Sequence, residues 1–134
     1  MSEQQQKTPK KIIVADDDPA ILRLVKAILE KDEFDVLTAR DGKEAYKLLQ
    51  SDVQFEAAIF DVVMPYIQGT ELVTYMKSEK RLMDIPVIIM TAEQNPRFSS
   101  ESFQAGAVAF LPKPFTTSQL KVMLHMFLNE KKVA

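Results

Sequence analysis

Four short apolar runs, residues 12–15 (IIVA), 57–60 (AAIF), 87–90 (VIIM) and 108–111 (VAFL), are continuous rather than alternating. A strand with one wet face alternates apolar and polar residues. A strand covered on both faces does not, so runs of this kind predict a parallel sheet sandwiched between helices. A fifth run, 34–39 (FDVLTA), is more polar and suits a sheet edge. Helix-period segments lie between the runs. Asp18 followed by Pro19 reads as an N-cap with proline in the first turn. Ile21, Leu24, Val25, Ile28 and Leu29 then repeat at helical spacing. A second helix starts near Asp41 and carries Ala45, Leu48 and Leu49. Leu72, Val73 and Met76 mark a third. A fourth, around 97–105, is poorly patterned, and the fifth carries Leu120, Met123, Leu124, Phe127 and Leu128. Five strands alternating with five helices predict a doubly wound α/β sheet with right-handed crossovers and helices on both faces.

Composition narrows the chemistry. The 134 residues suit one domain, with 46% hydrophobic and 27% charged residues. Nineteen acids against 17 bases leave a net charge of −2, so there is no electrostatic footprint for nucleic acid or an anionic membrane. No apolar run approaches the roughly 18 residues needed to span a bilayer. Without cysteine there are no disulfides or thiolate sites, which fits a reducing compartment such as the cytoplasm. One histidine, His125, excludes any two-imidazole site and reads as a surface residue. Gly42, Gly69 and Gly106 stand too far apart for a Gly-rich phosphate loop. Residues 1–10 read as a solvated arm, 11–130 as the domain, and 131–134 as a frayed tail.

What remains is acid chemistry, and open α/β sheets bind ligands beyond the carboxyl ends of their strands. After the first run come Asp16, Asp17 and Asp18; after the second, Asp61; after the third, Thr91; after the fourth, Pro112 and Lys113. With Asp18 assigned to the cap, three carboxylates, a hydroxyl and an ammonium converge on one edge. Crowded carboxylates raise a pKa or recruit a cation. An all-oxygen set favours a hard ion such as Mg²⁺. These parts suit phosphoryl transfer to Asp61.

The motifs IIVADDDPAI, IFDVVMPYIQG, VIIMTA and AGAVAFLPKPF occur in the order and at the spacing of a known family. From Lys11 to about Glu130 the chain resembles the receiver domain of two-component response regulators. The resemblance implies a flavodoxin-like strand order 2-1-3-4-5, with two helices on one face and three on the other. It implies that Asp61 accepts a phosphoryl group from the phosphohistidine of a sensor histidine kinase or phosphotransfer protein. Asp17 and Asp61 would bind Mg²⁺ directly, Asp16 through water, and the Val63 carbonyl would complete the ligands. Lys113 would pair with the phosphoryl oxygens, Thr91 would swing toward them, and Phe110 would turn inward as the switch aromatic. A cis bond before Pro114 is also implied.

Some positions depart from the family pattern. Phe110 lacks the hydroxyl of the tyrosine often found there. Val63 is apolar where some members are polar, and with Glu93 it bears on the access of water. Tyr66, Ile67 and Gln68 stand where many members have a Gly-x-Asp turn, and Tyr66 is read as filling the loop surface. On the last helix Val122 and Met126 fall opposite the apolar stripe, near Phe98 or Phe103. In the family the face of the fourth helix, fifth strand and fifth helix commonly binds a target protein or a second copy. Rival readings fail on particular residues. A flavodoxin-like carrier would not place DDDPA in its phosphate loop. A haloacid dehalogenase-type phosphohydrolase needs D-x-D, where this chain has Val63. A nicotinamide enzyme needs G-x-G-x-x-G. Output is expected through another protein, either from this chain alone or from a longer regulator that contains it.

Overall fold

A computed structural model describes residues 8–129. Lys7 and most of the expected arm, together with the expected tail, lie outside the described residues. The elements alternate as expected: β1 (Lys11–Ala15), α1 (Pro19–Lys31), β2 (Asp35–Ala39), α2 (Gly42–Gln50), β3 (Ala57–Asp61), α3 (Gly69–Lys77), β4 (Val87–Thr91), α4 (Pro96–Ala105), β5 (Ala109–Pro112) and α5 (Thr117–Asn129). All four strand pairs are parallel, in the order β2-β1-β3-β4-β5.

The pleat of the central strands divides the core in two. Ile12, Val14, Ala57, Ile59, Ile88 and Met90 face α1 and α5, where Leu22, Val25, Leu29, Leu120, Leu124 and Leu128 cover them. Ile13, Ala15, Ala58, Phe60, Val87 and Ile89 face the opposite layer, formed by α2, α3 and α4. Continuous apolar runs follow directly, because neither face of β1, β3 or β4 meets water. Fully burying each of the valine, leucine, isoleucine, phenylalanine and methionine side chains stabilises the fold by roughly 1.5–3 kcal/mol.

Local chemistry sets the helix starts. Asp18 Oδ1 accepts from the Ala20 amide at 2.9 Å, with Pro19 behind it. Asp41 Oδ1 accepts from the Glu44 amide at 2.8 Å. Asn95 and Pro96 repeat the first arrangement at α4. Thr116 and Gln119 exchange amide bonds at the start of α5. Each cap satisfies N–H groups that a helix start leaves without partners.

The structure corrects two sequence expectations. Leu24 is 45% exposed, while Leu22 is buried. The face of α1 that meets the sheet runs through Leu22, Val25 and Leu29, flanked by Ile21 and Ile28. The last strand begins one residue later than its apolar run, since the Val108 amide bonds Val87 but its side chain turns outward. His125 keeps its surface reading, with its side chain 40% exposed on α5. Its Nε2 lies 2.5 Å from Asp32 Oδ2 beyond α1, and its ring packs on Phe34 at 5.8 Å.

Candidate functional site: an acidic crevice at the strand ends

Parallel strands end together, so the residues after β1, β3, β4 and β5 share one edge. Asp16 follows β1 and is fully buried, with its amide bonded to the Ala39 carbonyl at 3.1 Å. Its Oδ1 accepts from the Asp18 amide at 2.8 Å. Its Oδ2 accepts from Lys113 Nζ at 2.6 Å. Lys113 stands 3.7 Å from Asp61 Oδ2. The lysine thus rests on Asp16 and reaches Asp61 as a second, longer contact. Asp17 is exposed at the rim.

Burial is the largest influence on Asp61, and it disfavours the charged carboxylate. The neighbouring Asp16 charge acts the same way, and Asp17 adds a little. Lys113 and the Val62 amide oppose them. The net result raises the carboxyl from 3.8 to about 6.

Asp16, Asp17 and Asp61 each offer one oxygen, all within 4.8 Å of one another. Oxygens around one octahedral Mg²⁺-sized cation stand about 2.9–4.2 Å apart, so the spacing is near what one such ion needs. The donors are all oxygen, which fits a hard metal ion.

Thr91 ends β4 and is buried, and its Oγ1 accepts from the Glu93 amide at 3.0 Å. Its carbonyl accepts from the Lys113 amide at 2.9 Å, which ties the hydroxyl-bearing strand end to the lysine-bearing one. Phe110 is half-buried on β5, with its ring 6.4 Å from that of Phe103. A small open cleft between Thr91 and Phe110 is also lined by Glu93, Asn95, Ser99 and Lys113. The Lys113–Pro114 bond is cis.

The loop after Asp61 contains features that sequence reasoning missed. Val62 and Met64 are buried while Val63 turns outward. Tyr66 is 76% exposed at φ 73°, with Lys43 Nζ 5.6 Å from its ring centroid. Its exposure agrees with the loop-surface reading. Gly42 and Gly69, distant in sequence, both meet this loop. A glycine at the first residue of α2 and of α3 was the available signal. Val122 and Met126 lie away from the crevice on α5, 62% and 56% exposed. Phe103 on α4 is also exposed, whereas Phe98 packs inward.

A doubly wound five-stranded sheet with a carboxylate-lined crevice at its strand ends is the architecture of a receiver. The chain belongs to the response regulator receiver domain family of two-component signalling, whose model matches residues 12–125. It is 33% identical over 120 residues to the chemotaxis protein CheY1 of Helicobacter pylori, covering 89% of this chain and 97% of that one. It is 32% identical over 121 residues to the response regulator MprA of Mycolicibacterium vanbaalenii, covering 90% of this chain but 51% of the relative. The chain therefore spans about half the length of some curated relatives and nearly all of another. Among solved structures, the CheY-like receiver domain protein of Methanospirillum hungatei superposes with a TM-score of 0.86 at 30% identity. That match covers 93% of this chain and 98% of the other. Among the described residues no helix is long and apolar enough to cross a membrane.

Proposed function

We propose that this receiver is loaded by phosphoryl transfer to Asp61 and that it catalyses both its own loading and its slow hydrolysis. The observation that carries the reading is a buried carboxylate at the end of the central strand, with Asp16, Asp17 and Lys113 around it. A carboxylate oxygen of Asp61 bonds to phosphorus as the phosphorus–nitrogen bond of the donor's phosphohistidine breaks. The freed imidazole takes up a proton. The donor is a sensor histidine kinase or a histidine phosphotransfer protein.

Asp16, Asp17, Asp61 and the Val63 carbonyl would hold Mg²⁺, which when bound neutralises charge on the phosphoryl oxygens. Lys113, now on Asp16, turns to those oxygens. Thr91 exchanges the Glu93 amide for a hydrogen bond donated to the phosphoryl group. Phe110 follows into the cleft beside Thr91, so the signal travels by packing alone and shifts a two-state population. Val63 and Glu93 flank the route of attacking water.

The output is the binding of a target protein, or of a second copy, by the face of α4, β5 and α5 that exposes Phe103, Val122 and Met126. No nucleic acid or membrane contact is invoked, and the compartment is the cytoplasm. Residues 11–130 constitute the receiver.

Acetyl phosphate with Mg²⁺, followed by intact mass, tests the site. Wild type gains about 80 Da, one phosphoryl group. Asp61→Asn gains nothing. An adduct of equal yield on Asp61→Asn would overturn the assignment.

A further inference from the structure

The loop that leaves Asp61 is fixed from outside itself. Pro65, Tyr66 and Ile67 form a three-residue turn, with the Ile67 amide on the Pro65 carbonyl at 2.9 Å. Tyr66 sits at its centre at positive φ, a conformation that is strained for a bulky side chain. The ring lies in solvent, so burial returns nothing for that strain. Such a turn persists only where its surroundings over-determine it.

The surroundings are the first turn of α2. A helix start must give its leading N–H groups to acceptors outside the helix. Gly42 gives its own to the same Pro65 carbonyl, at 3.2 Å. A Cβ at Gly42 would lie 1.9 Å from the Ile67 carbonyl oxygen and 2.6 Å from its carbon. Both are backbone atoms, so any other residue forces α2 and the turn apart by about an ångström, the gap between 1.9 Å and an ordinary contact of about 3 Å. The far end of the loop is seated in the same manner. The Gly69 amide bonds the Val62 carbonyl at 2.9 Å, and a Cβ there would lie 2.2 Å from the Asp61 carbonyl oxygen.

We propose that Gly42, on a different element from the phosphoacceptor, is a positioning residue for phosphoryl transfer. It lets α2 serve as the abutment that sets the path of residues 62–68, and with it the Asp61 carboxylate and the Val63 carbonyl. The inference rests on the loading of Asp61 proposed above. Gly42→Ala is expected to fold with a lowered melting temperature. A misplacement of this size lowers the maximal rate of loading by acetyl phosphate by roughly ten- to hundredfold. The half-saturating acetyl phosphate concentration stays near that of wild type, and calorimetry shows weaker Mg²⁺ binding.

A purely structural role would lower the melting temperature and leave the loading rate of the folded protein unchanged, and that result overturns the proposal. If Gly42→Ala does not fold, Asp41→Ala takes its place. It frays the first turn of α2 by removing the cap on the Glu44 amide, and it too must slow loading in a folded domain. Loading of Asp41→Ala at the wild-type rate would sink the abutment. Failure of wild type to gain mass at Asp61 removes the underlying reading and this one with it, whereas loss confined to the variants supports both.

Discussion

Asp61 combines a poor place for a charge with a charge that its proposed chemistry needs. Burial and Asp16 lift its carboxyl to about 6, above the ordinary 3.8. Without metal, the stability penalty contributed by Asp61 is therefore absent below about pH 4 and grows as pH rises from there through about 6. The shift of roughly two units corresponds to about 2–3 kcal/mol. In EDTA, Asp61→Asn should melt higher than wild type at pH 8, and the two curves should converge toward pH 4. A constant difference across that range, followed by circular dichroism, would contradict the burial argument. The acids, Thr91 and Lys113 were legible in the sequence because each lies within two residues of the end of an apolar run. The partner that Lys113 chooses was not. Its rest on Asp16 depends on side-chain reach across strands, which residue order does not encode. The role of Gly42 was hidden for the same reason, since it comes from a backbone approach between distant segments.

At the level of elements, legibility tracked how completely each element is buried. The central strands were plain because both faces are covered. The apolar positions of α3 and α5 were plain because leucine, valine and methionine repeat along one face. The fourth helix was obscure because its only fully buried residue is Ser102, whose hydroxyl satisfies itself on the Phe98 carbonyl at 2.6 Å. A polar residue in a core position erases the pattern a reader relies on. The start of β5 slipped because Val108 is apolar but turned outward. On α5, the exposed Val122 and Met126 define the proposed partner face. Changing both to aspartate should leave acetyl phosphate loading intact, because neither touches the crevice. Association on loading, read by analytical ultracentrifugation or by target binding, should weaken at least tenfold. Unchanged association would remove this face from the account.

For the whole molecule, cation binding and folding share one free energy. A metal held by the native carboxylates and absent from the unfolded chain stabilises by about 2.7 kcal/mol at a hundredfold excess over its Kd. For a domain of this size that raises the melting temperature by roughly 6–12 °C. Mg²⁺ should therefore raise the melting temperature of wild type, EDTA should reverse the gain, and Asp17→Asn should lose most of it. An equal gain in the variant would place the ion elsewhere. The sheet order was implied by motif resemblance and is present in full, whereas the apolar runs alone set only the number of strands and their alternation with helices. One further consequence lies in the contact between Lys113 and Asp16, which joins positions 97 apart in the chain. Synthesis delivers β1, β2 and β3 first, and with them all three carboxylates of the crevice. Lys113, their cationic partner among the described residues, follows β5 at the far edge of the sheet. Until the end of β5 docks, Lys113 cannot reach Asp16 or Asp61. The contact between the first and last strand ends is therefore completed only when β5 joins the sheet.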